Sequence, residues 1–349
     1  MKTFESFHAA FPDLQGCVIS HPADIFYLTG FFCPDALLLF SADPVLVTDS
    51  RYSVAAKQVS CRVKVFGGSY ITGAAEEAKA QGLKALGVQE NSLTAGDYLT
   101  LSEQGFALSP VGGFFTHLRA RKTKEEVEKI RAAQAVSDRA FQAFLPCIKP
   151  GMTEKQLRNK LETLLFDCGA DALAFETIVA SGSNGAKPHA VPSEKPVQAG
   201  EFITFDFGAR VGQYDSDMTR TVALGDVSAE QTRIYNAVLE AHETAMAALA
   251  PGKTGKEIDR IARDVLEKYD LAQYFTHSLG HGVGIDIHEE PNLSFRNDRP
   301  LEEGSIVTIE PGVYIEGFCG VRIENMAVLT RNGYDDLTAT DKKLIKIPY

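Results

Sequence analysis

At 349 residues the chain is long enough for two domains and for a core that buries about three quarters of the unfolded surface. A net charge of −11, with 44% hydrophobic and 23% charged residues, is that of a globular protein and excludes nucleic acid and anionic membrane as partners. The aliphatic run 36–40 (ALLLF) is too short to span a bilayer and residues 1–11 lack the apolar stretch of a signal peptide, so the expected location is the cytoplasm. Six cysteines (Cys17, Cys33, Cys61, Cys147, Cys168, Cys319) are scattered without a CxxC pair, which reads as reduced thiols rather than a disulfide or zinc framework.

Taken from the N-terminus, short apolar strands are expected at 16–19, 36–40, 45–47, 63–66 and 85–88, alternating with helical segments at 52–59 and 73–81. This is the pattern of a small α/β domain. The composition then turns to charge in RARKTKEEVEKIR (119–131), where Thr123 is a candidate N-cap and Glu126 completes a capping box. The domain boundary is placed here, giving domains 1–121 and 122–349. Apolar residues at helical spacing continue over 130–148, and Pro150-Gly151 stops that helix.

The stretch 201–220 (EFITFDFGARVGQYDSDMTR) sets a β-favouring apolar run, 203–207, around one acid, Asp206. A buried carboxylate needs a partner, and the window to Asp217 holds no Lys and only Arg210, in an apparent turn. A bound cation is therefore the more economical partner than an internal ion pair. The eleven-residue separation with Gly208 and Gly212 between suits two adjacent antiparallel strands joined by a short turn, with the acids side by side.

The device recurs. Residues 200–208 (GEFITFDFG) align without a gap to 304–312 (GSIVTIEPG), setting Glu310 against Asp206, and a second acid, Glu324, follows as Asp217 did. His189 and Pro192 echo His288 and Pro291, and PGMTEK (150–155) echoes PGKTGK (251–256). A duplicated helix and strand unit, its halves related by an approximate two-fold axis, would bring four carboxylates together in a central cleft. Between these acids lies HSLGHGVGIDIHE (277–289), three histidines in twelve residues, with Gly280, Gly282 and Gly284 letting the backbone approach something closely. The GxGxG spacing is not that of a dinucleotide fingerprint. His281, with a glycine on each side, is free to project as an imidazole ligand.

Asp206, Asp217, His281, Glu310 and Glu324, in the strings SDMTRT, HSLGHGVG, TIEPG and VRIE, resemble the metal-ligand set of the pita-bread metallopeptidases: Xaa-Pro aminopeptidases, Xaa-Pro dipeptidases (prolidases) and methionine aminopeptidases. The likeness covers 122–349. The segment with ISHPAD (19–24) and YLTGF (27–31) resembles the smaller domain of the proline-specific members and creatinase, and Arg322 in VRIE agrees with that branch. The fold so implied is α/β (α+β), a pita-bread catalytic domain with pseudo-two-fold duplication preceded by a creatinase-like α/β domain.

The resemblance implies two divalent metal ions, Mn²⁺ first with Co²⁺ or Zn²⁺ as alternatives, which suits four carboxylates and one imidazole. Asp206 would hold one ion, His281 and Glu310 the other, and Asp217 and Glu324 would bridge them. Water between ions roughly 3.5 to 4 Å apart reaches hydroxide near neutrality and attacks the peptide carbonyl. Glu310 would shuttle its proton. His189 and His288 would position substrate and stabilise the tetrahedral intermediate or, alternatively, only orient the ligands. Tyr314 and Arg322 would line or brace the site. The activity implied is that of an Xaa-Pro aminopeptidase on proline-containing peptides, since the catalytic half lacks obvious insertions that would close the cleft. The alternatives are an Xaa-Pro dipeptidase, a methionine aminopeptidase, a metal-free creatinase-like hydrolase and a non-catalytic pita-bread binding protein. A domain like 1–121 commonly packs in a homodimer.

Overall fold

The computed structural model describes residues 4–348. It divides into two compact units, Met1–Arg119 and Ala120–Tyr349. In the first, apolar runs interrupted by Gly, Pro and Asp form β1 (Gly16–Ile19), β2 (Ala36–Ser41), β3 (Val45–Thr48), β4 (Arg62–Val65), β5 (Ala85–Val88) and β6 (Ala107–Pro110), in the spatial order β4-β3-β2-β1-β5-β6. Helices α1 (Phe4–Ala10), α2 (Pro22–Thr29), α3 (Tyr70–Ala80), α4 (Ala95–Glu103) and α5 (Gly112–Ala120) complete it. Alternate residues of β2 feed two separate apolar clusters, Leu38 and Phe40 one and Leu37 and Leu39 the other, as a sheet covered on both faces requires. The helix expected over 52–59 does not form. The chain makes two 3₁₀ turns, Ser50–Tyr52 and Ala55–Gln58, in which only Ala56 is buried, so no apolar face supports a longer helix.

The second unit is built twice. Thr123 and Glu126 close the expected capping box on α6 (Lys124–Phe144). This helix ends before Ile148, because Pro146 interrupts the backbone donors and the chain tightens into a 3₁₀ turn at Leu145–Cys147. The echo PGMTEK/PGKTGK marks two helix starts, Thr153 capping α7 (Glu154–Asp167) and Thr254 capping α9 (Gly255–Glu267), each in a capping box; α8 (Ala229–Ala247) packs on α9 as α6 packs on α7.

In the first half β8 (Ile178–Ser181), β9 (Glu201–Phe207) and β12 (Met218–Leu224) run antiparallel, with β20 (Ile345–Ile347) alongside β12. The expected short turn between the acid-bearing strands is instead an inserted hairpin, β10 (Ala209–Val211) and β11 (Tyr214–Asp215), with β7 (Ala172–Leu173) on its edge. In the second half β13 (Gly280–Gly282), β15 (Ile306–Ile309) and β18 (Asn325–Thr330) repeat the plan, flanked by β14 (Glu289–Leu293) and β19 (Gly333–Asp336). Here too a hairpin is inserted, β16 (Gly312–Ile315) and β17 (Cys319–Arg322). Each half thus reads strand, hairpin, acid, returning strand, with Asp217 directly before β12 and Glu324 directly before β18. One difference breaks the repeat: Asp206 lies inside β9, whereas β15 stops at Ile309, since Pro311 has no N–H to continue the ladder past Glu310. Two apolar clusters pack the unit, one around Phe141, Phe205 and Val222 and one around Ala241, Val307 and Ala327, which Phe202 and Ala223 of the first half also join.

The glycines around His281 serve strand packing. A Cβ on Gly280 would lie 2.0 Å from the Thr308 carbonyl oxygen, and one on Gly282 would lie 2.4 Å from that of Glu290. What the backbone approaches closely is its neighbouring strands. Gly280→Ala should therefore destabilise the second unit by about 2–3 kcal/mol, read from urea unfolding.

Candidate metal centre

Asp206, Asp217, His189, His281, His288, Glu310, Arg322 and Glu324 line one cavity of about 340 Å³, with Phe175 and Ile178 as apolar walls. Thr219 stands opposite Asp206 in the β9–β12 register, so Asp217, two residues earlier, is diagonal to Asp206 rather than beside it. The second half meets the first along β12. Glu324 donates its N–H to the Thr219 carbonyl (3.1 Å), and Thr221 Oγ1 accepts from the Arg322 N–H (3.2 Å). One ligand atom each of Asp217, His281 and Glu324 lie within 4.8 Å of one another. Glu310 joins them through His281, its Oε1 3.4 Å from Nε2, while Asp217 Oδ2 is 3.5 Å from the same nitrogen.

Asp206 is paired differently from the sequence expectation. Arg210 engages Asp215 (2.6 Å), and an internal ion-pair partner arrives from far along the chain: Arg322 Nη2 reaches Asp206 Oδ2 at 2.6 Å. The pairing is incomplete, because Asp206 Oδ1 is buried without a hydrogen-bond partner. That orphaned oxygen is what a cation would satisfy. His281 makes the same case. Its Nδ1 lies 3.0 Å from the Gly282 carbonyl, and burial, with His288 adjoining, lowers its pKa to about 4, so the ring is neutral. A neutral ring with its proton on Nδ1 turns the Nε2 lone pair toward two carboxylate oxygens, an arrangement that only a proton or a cation between them relieves. The acids respond in kind. Burial and the charge of Glu324 push Asp217 and Glu310 well above the usual carboxylate range, and burial and Asp206 push Glu324 up to about 8. The residues fit a divalent metal ion.

Neighbouring side chains hold these acids and His281 in place. Thr219 Oγ1 donates to Glu324 Oε2 (2.6 Å) and accepts from Arg322 Nε (3.1 Å), and Thr308 Oγ1 accepts from the His281 N–H (3.1 Å). Arg220, 1% exposed, donates to the carbonyls of Thr219, Glu324, Thr340 and Asp341 and to Asn325 Oδ1, tying the first residues of β18 and the C-terminal segment to β12. Buried Glu154 accepts from the N–H and hydroxyl groups of Ser181 and Ser193, closing the loop that carries His189. Tyr314 does not reach the acids; its hydroxyl accepts from Arg322 Nη1 (2.8 Å) and lies 2.8 Å from His277 Nε2. His277, given no role from the sequence beyond its place among three clustered histidines, therefore lines the cavity at the end of a chain running Asp206–Arg322–Tyr314–His277. Its closeness to His281 in HSLGH was the one available signal.

The sequence profile of metallopeptidase family M24 matches residues 128–331, more than half of the chain. The chain belongs to metallopeptidase family M24. The Creatinase/Prolidase N-terminal domain matches residues 11–121 ahead of the M24 unit, and the second unit is the M24 pita-bread fold, a metallopeptidase domain. This M24 chain is 39% identical over 340 residues to the uncharacterized peptidase YqhT of Bacillus subtilis, covering 95% of this chain and 96% of that one. Among solved structures it is similar to an Xaa-Pro dipeptidase from Bacillus anthracis (37% identity, TM-score 0.94, 98% of each chain). It is also similar to an X-Pro aminopeptidase from Thermotoga maritima (35% identity, TM-score 0.89, 96% of this chain and 98% of that one).

The raised acids set a pH dependence for the ion-free M24 protein. Folded Glu324 keeps its proton up to about 8 whereas the unfolded chain loses it near the ordinary 4.5, so the folded form binds more protons and stability falls as pH rises through that interval. His277 and His281, held near 4 against an ordinary 6.5, act in the opposite sense, but only below 6.5. Urea midpoints of the chelated protein should therefore drop between pH 6.5 and 8, the drop should shrink in Glu324→Gln, and Mn²⁺ should remove it.

Proposed function

We propose that this M24 metallopeptidase hydrolyses the bond between an N-terminal residue and proline, with Xaa-Pro dipeptides among its substrates. The observation that carries the reading is the convergence of Asp217, His281 and Glu324 ligand atoms within 4.8 Å, in a cavity that Asp206 and Glu310 also line. Asp206 would hold one ion, His281 and Glu310 a second, with Asp217 and Glu324 between them. Two divalent ions, Mn²⁺ matching an oxygen-rich set with one imidazole, lower the pKa of water and polarise the scissile carbonyl when bound.

The side chains supply the rest. Glu310, ionised once a cation neutralises the cluster, would take a proton from the attacking water and return it to the leaving nitrogen. His288, a largely neutral ring whose pKa burial lowers, and His189 donate to the oxygen that gains charge in the transition state. Arg322, held by Tyr314 and Thr219, fixes Asp206 and offsets part of the negative charge. Phe175 and Ile178 present apolar surface to the substrate, and a proline amide, having no N–H, leaves no donor unsatisfied against such walls.

The overlap with the Bacillus anthracis Xaa-Pro dipeptidase supports dipeptides as substrates. A second reading, aminopeptidase action on longer peptides, is supported by a wider groove that shares His277, Ser278 and Asn292 with the metal cavity. Six free thiols support a reducing, cytoplasmic setting, and among the described residues no helix is long and apolar enough to cross a membrane. A homodimer is the assembly proposed from the family likeness, and exposed Val54, Val65 and Leu99 on the first unit offer apolar surface for such a contact; light scattering measures it.

Chelation should abolish hydrolysis of Ala-Pro, Mn²⁺ or Co²⁺ should restore it, and Asp217→Asn should lower kcat/KM at least about a hundredfold. Full turnover in a preparation shown to be free of metal would sink the dinuclear reading. Replacing proline by alanine in the substrate should cost at least about tenfold in kcat/KM. Met-Ala-Yaa peptides cleaved as fast as Met-Pro-Yaa would instead install the methionine aminopeptidase reading.

A further inference from the structure

The metal cavity opens at two ends of unlike charge. Toward Phe175, Ile178 and His189 it adjoins a groove bearing Arg158, Glu162 and Glu176, where Arg158 stands 3.9 Å from Glu162 and leaves Glu176 as the uncompensated charge. Toward His277, Ser278 and Asn292 it adjoins a groove of about 960 Å³ bearing Arg263, Arg296 and Arg299 against a single acid, Glu290. Arg263 is already committed: it pairs with Asp259 (2.8 Å) and donates to the carbonyls of Phe275 and His277, bracing the wall next to the metal loop. Arg296 and Arg299 are not. Both are exposed, and among the described residues neither guanidinium has a carboxylate partner; that of Arg296 lies 5.0 Å over the ring of Phe295, itself 58% exposed. Two uncommitted arginines beside an exposed aromatic ring, in a chain of net charge −11, form a local cationic patch at the mouth of a site lined by four carboxylates.

A peptide carries an ammonium at one end and a carboxylate at the other, so this polarity gives it one favoured direction. The ammonium belongs at the Glu176 end and the carboxylate at the arginine end. A cavity of about 340 Å³ is at the small end for a ligand site, whereas the adjoining groove has room for further residues. We propose that the Arg296–Arg299 groove is an extension subsite that receives the chain downstream of the scissile Xaa-Pro bond and selects peptides carrying a carboxylate at the third or fourth residue. The inference rests on the Xaa-Pro reading and deepens it, since it makes the enzyme one that accepts longer, acidic peptides as well as dipeptides.

The test uses the full-length Mn²⁺-loaded protein and compares kcat/KM for Ala-Pro-Gly-Glu, as the free acid, with the amidated Ala-Pro-Gly-Gln. The unaltered protein should favour the acidic peptide by about three- to tenfold, as exposed charge pairs permit, and 1 M NaCl should erase the preference. In Arg296→Ala/Arg299→Ala the ratio should fall to about one. In Arg296→Glu/Arg299→Glu it should invert, with amidated Ala-Pro-Gly-Lys preferred, a switch that general loss of structure cannot produce. Equal rates for acidic and amidated peptides in the unaltered protein, or a preference that survives both double variants, would overturn the subsite. Failure to cleave Ala-Pro or any Ala-Pro peptide would instead overturn the Xaa-Pro reading, so the two failures are distinguishable.

Discussion

Four carboxylates sharing one cavity are the constraint on which the catalytic unit turns. In Asp217, Glu310 and Glu324 burial and the charge of neighbouring carboxylates favour the protonated forms. One arginine, Arg322, enters the cluster and cannot neutralise it, since its fork is divided among Asp206, Tyr314, Thr219 and the Pro188 carbonyl. The arrangement is unfavourable for the polypeptide alone and favourable for a dication, which is how a protein stores affinity for metal in its fold.

The duplicated architecture is the means of assembling that cluster. A single strand, hairpin and returning strand places two acids near each other, and two copies meeting along β12 and the 321–324 segment bring the pairs into one cavity. The junction is polar where it matters: Thr219 and Thr221 bond to the segment carrying Arg322 and Glu324, and Arg220 spends its donors on backbone carbonyls from three stretches of chain. Asp138 on α6 fastens the C-terminal segment from the other side, accepting from the N–H groups of Ala339 and Thr340. With these donors satisfied, the clustered acids are held by elements that cannot slide independently.

Charge also organises the approach to the site. The Glu176 end of the site would draw an ammonium, and the arginine-bearing groove at the other end would draw the carboxylate of a peptide, so binding direction and catalytic position reinforce each other. His277 stands where the two spaces join, linked through Tyr314 to Arg322 and so to Asp206.

Much of this was legible in the chain itself. The gapless echo between GEFITFDFG and GSIVTIEPG announced the duplication, the paired PG-x-T strings marked two helix starts that both carry capping boxes, and Asp206, Asp217, His281, Glu310 and Glu324, singled out by residue type, repeat and family resemblance, do line one cavity. Such features are local, and local periodicity and capping act within a few residues of one another. What tertiary structure alone decided is the set of long-range partners. Arg322, 116 residues from Asp206, supplies the ion pair that the window around Asp206 lacked; the glycines beside His281 turn out to face Thr308 and Glu290; and His277 joins the site through Tyr314. The segment 52–59 failed as a helix because Ala56 is its one fully buried residue, too little apolar face to support a longer helix, which only the packed unit determines. Sequence spacing fixes which face a residue occupies on its own strand or helix, but the element that comes to lie against that face is chosen by the burial and pairing of the whole chain.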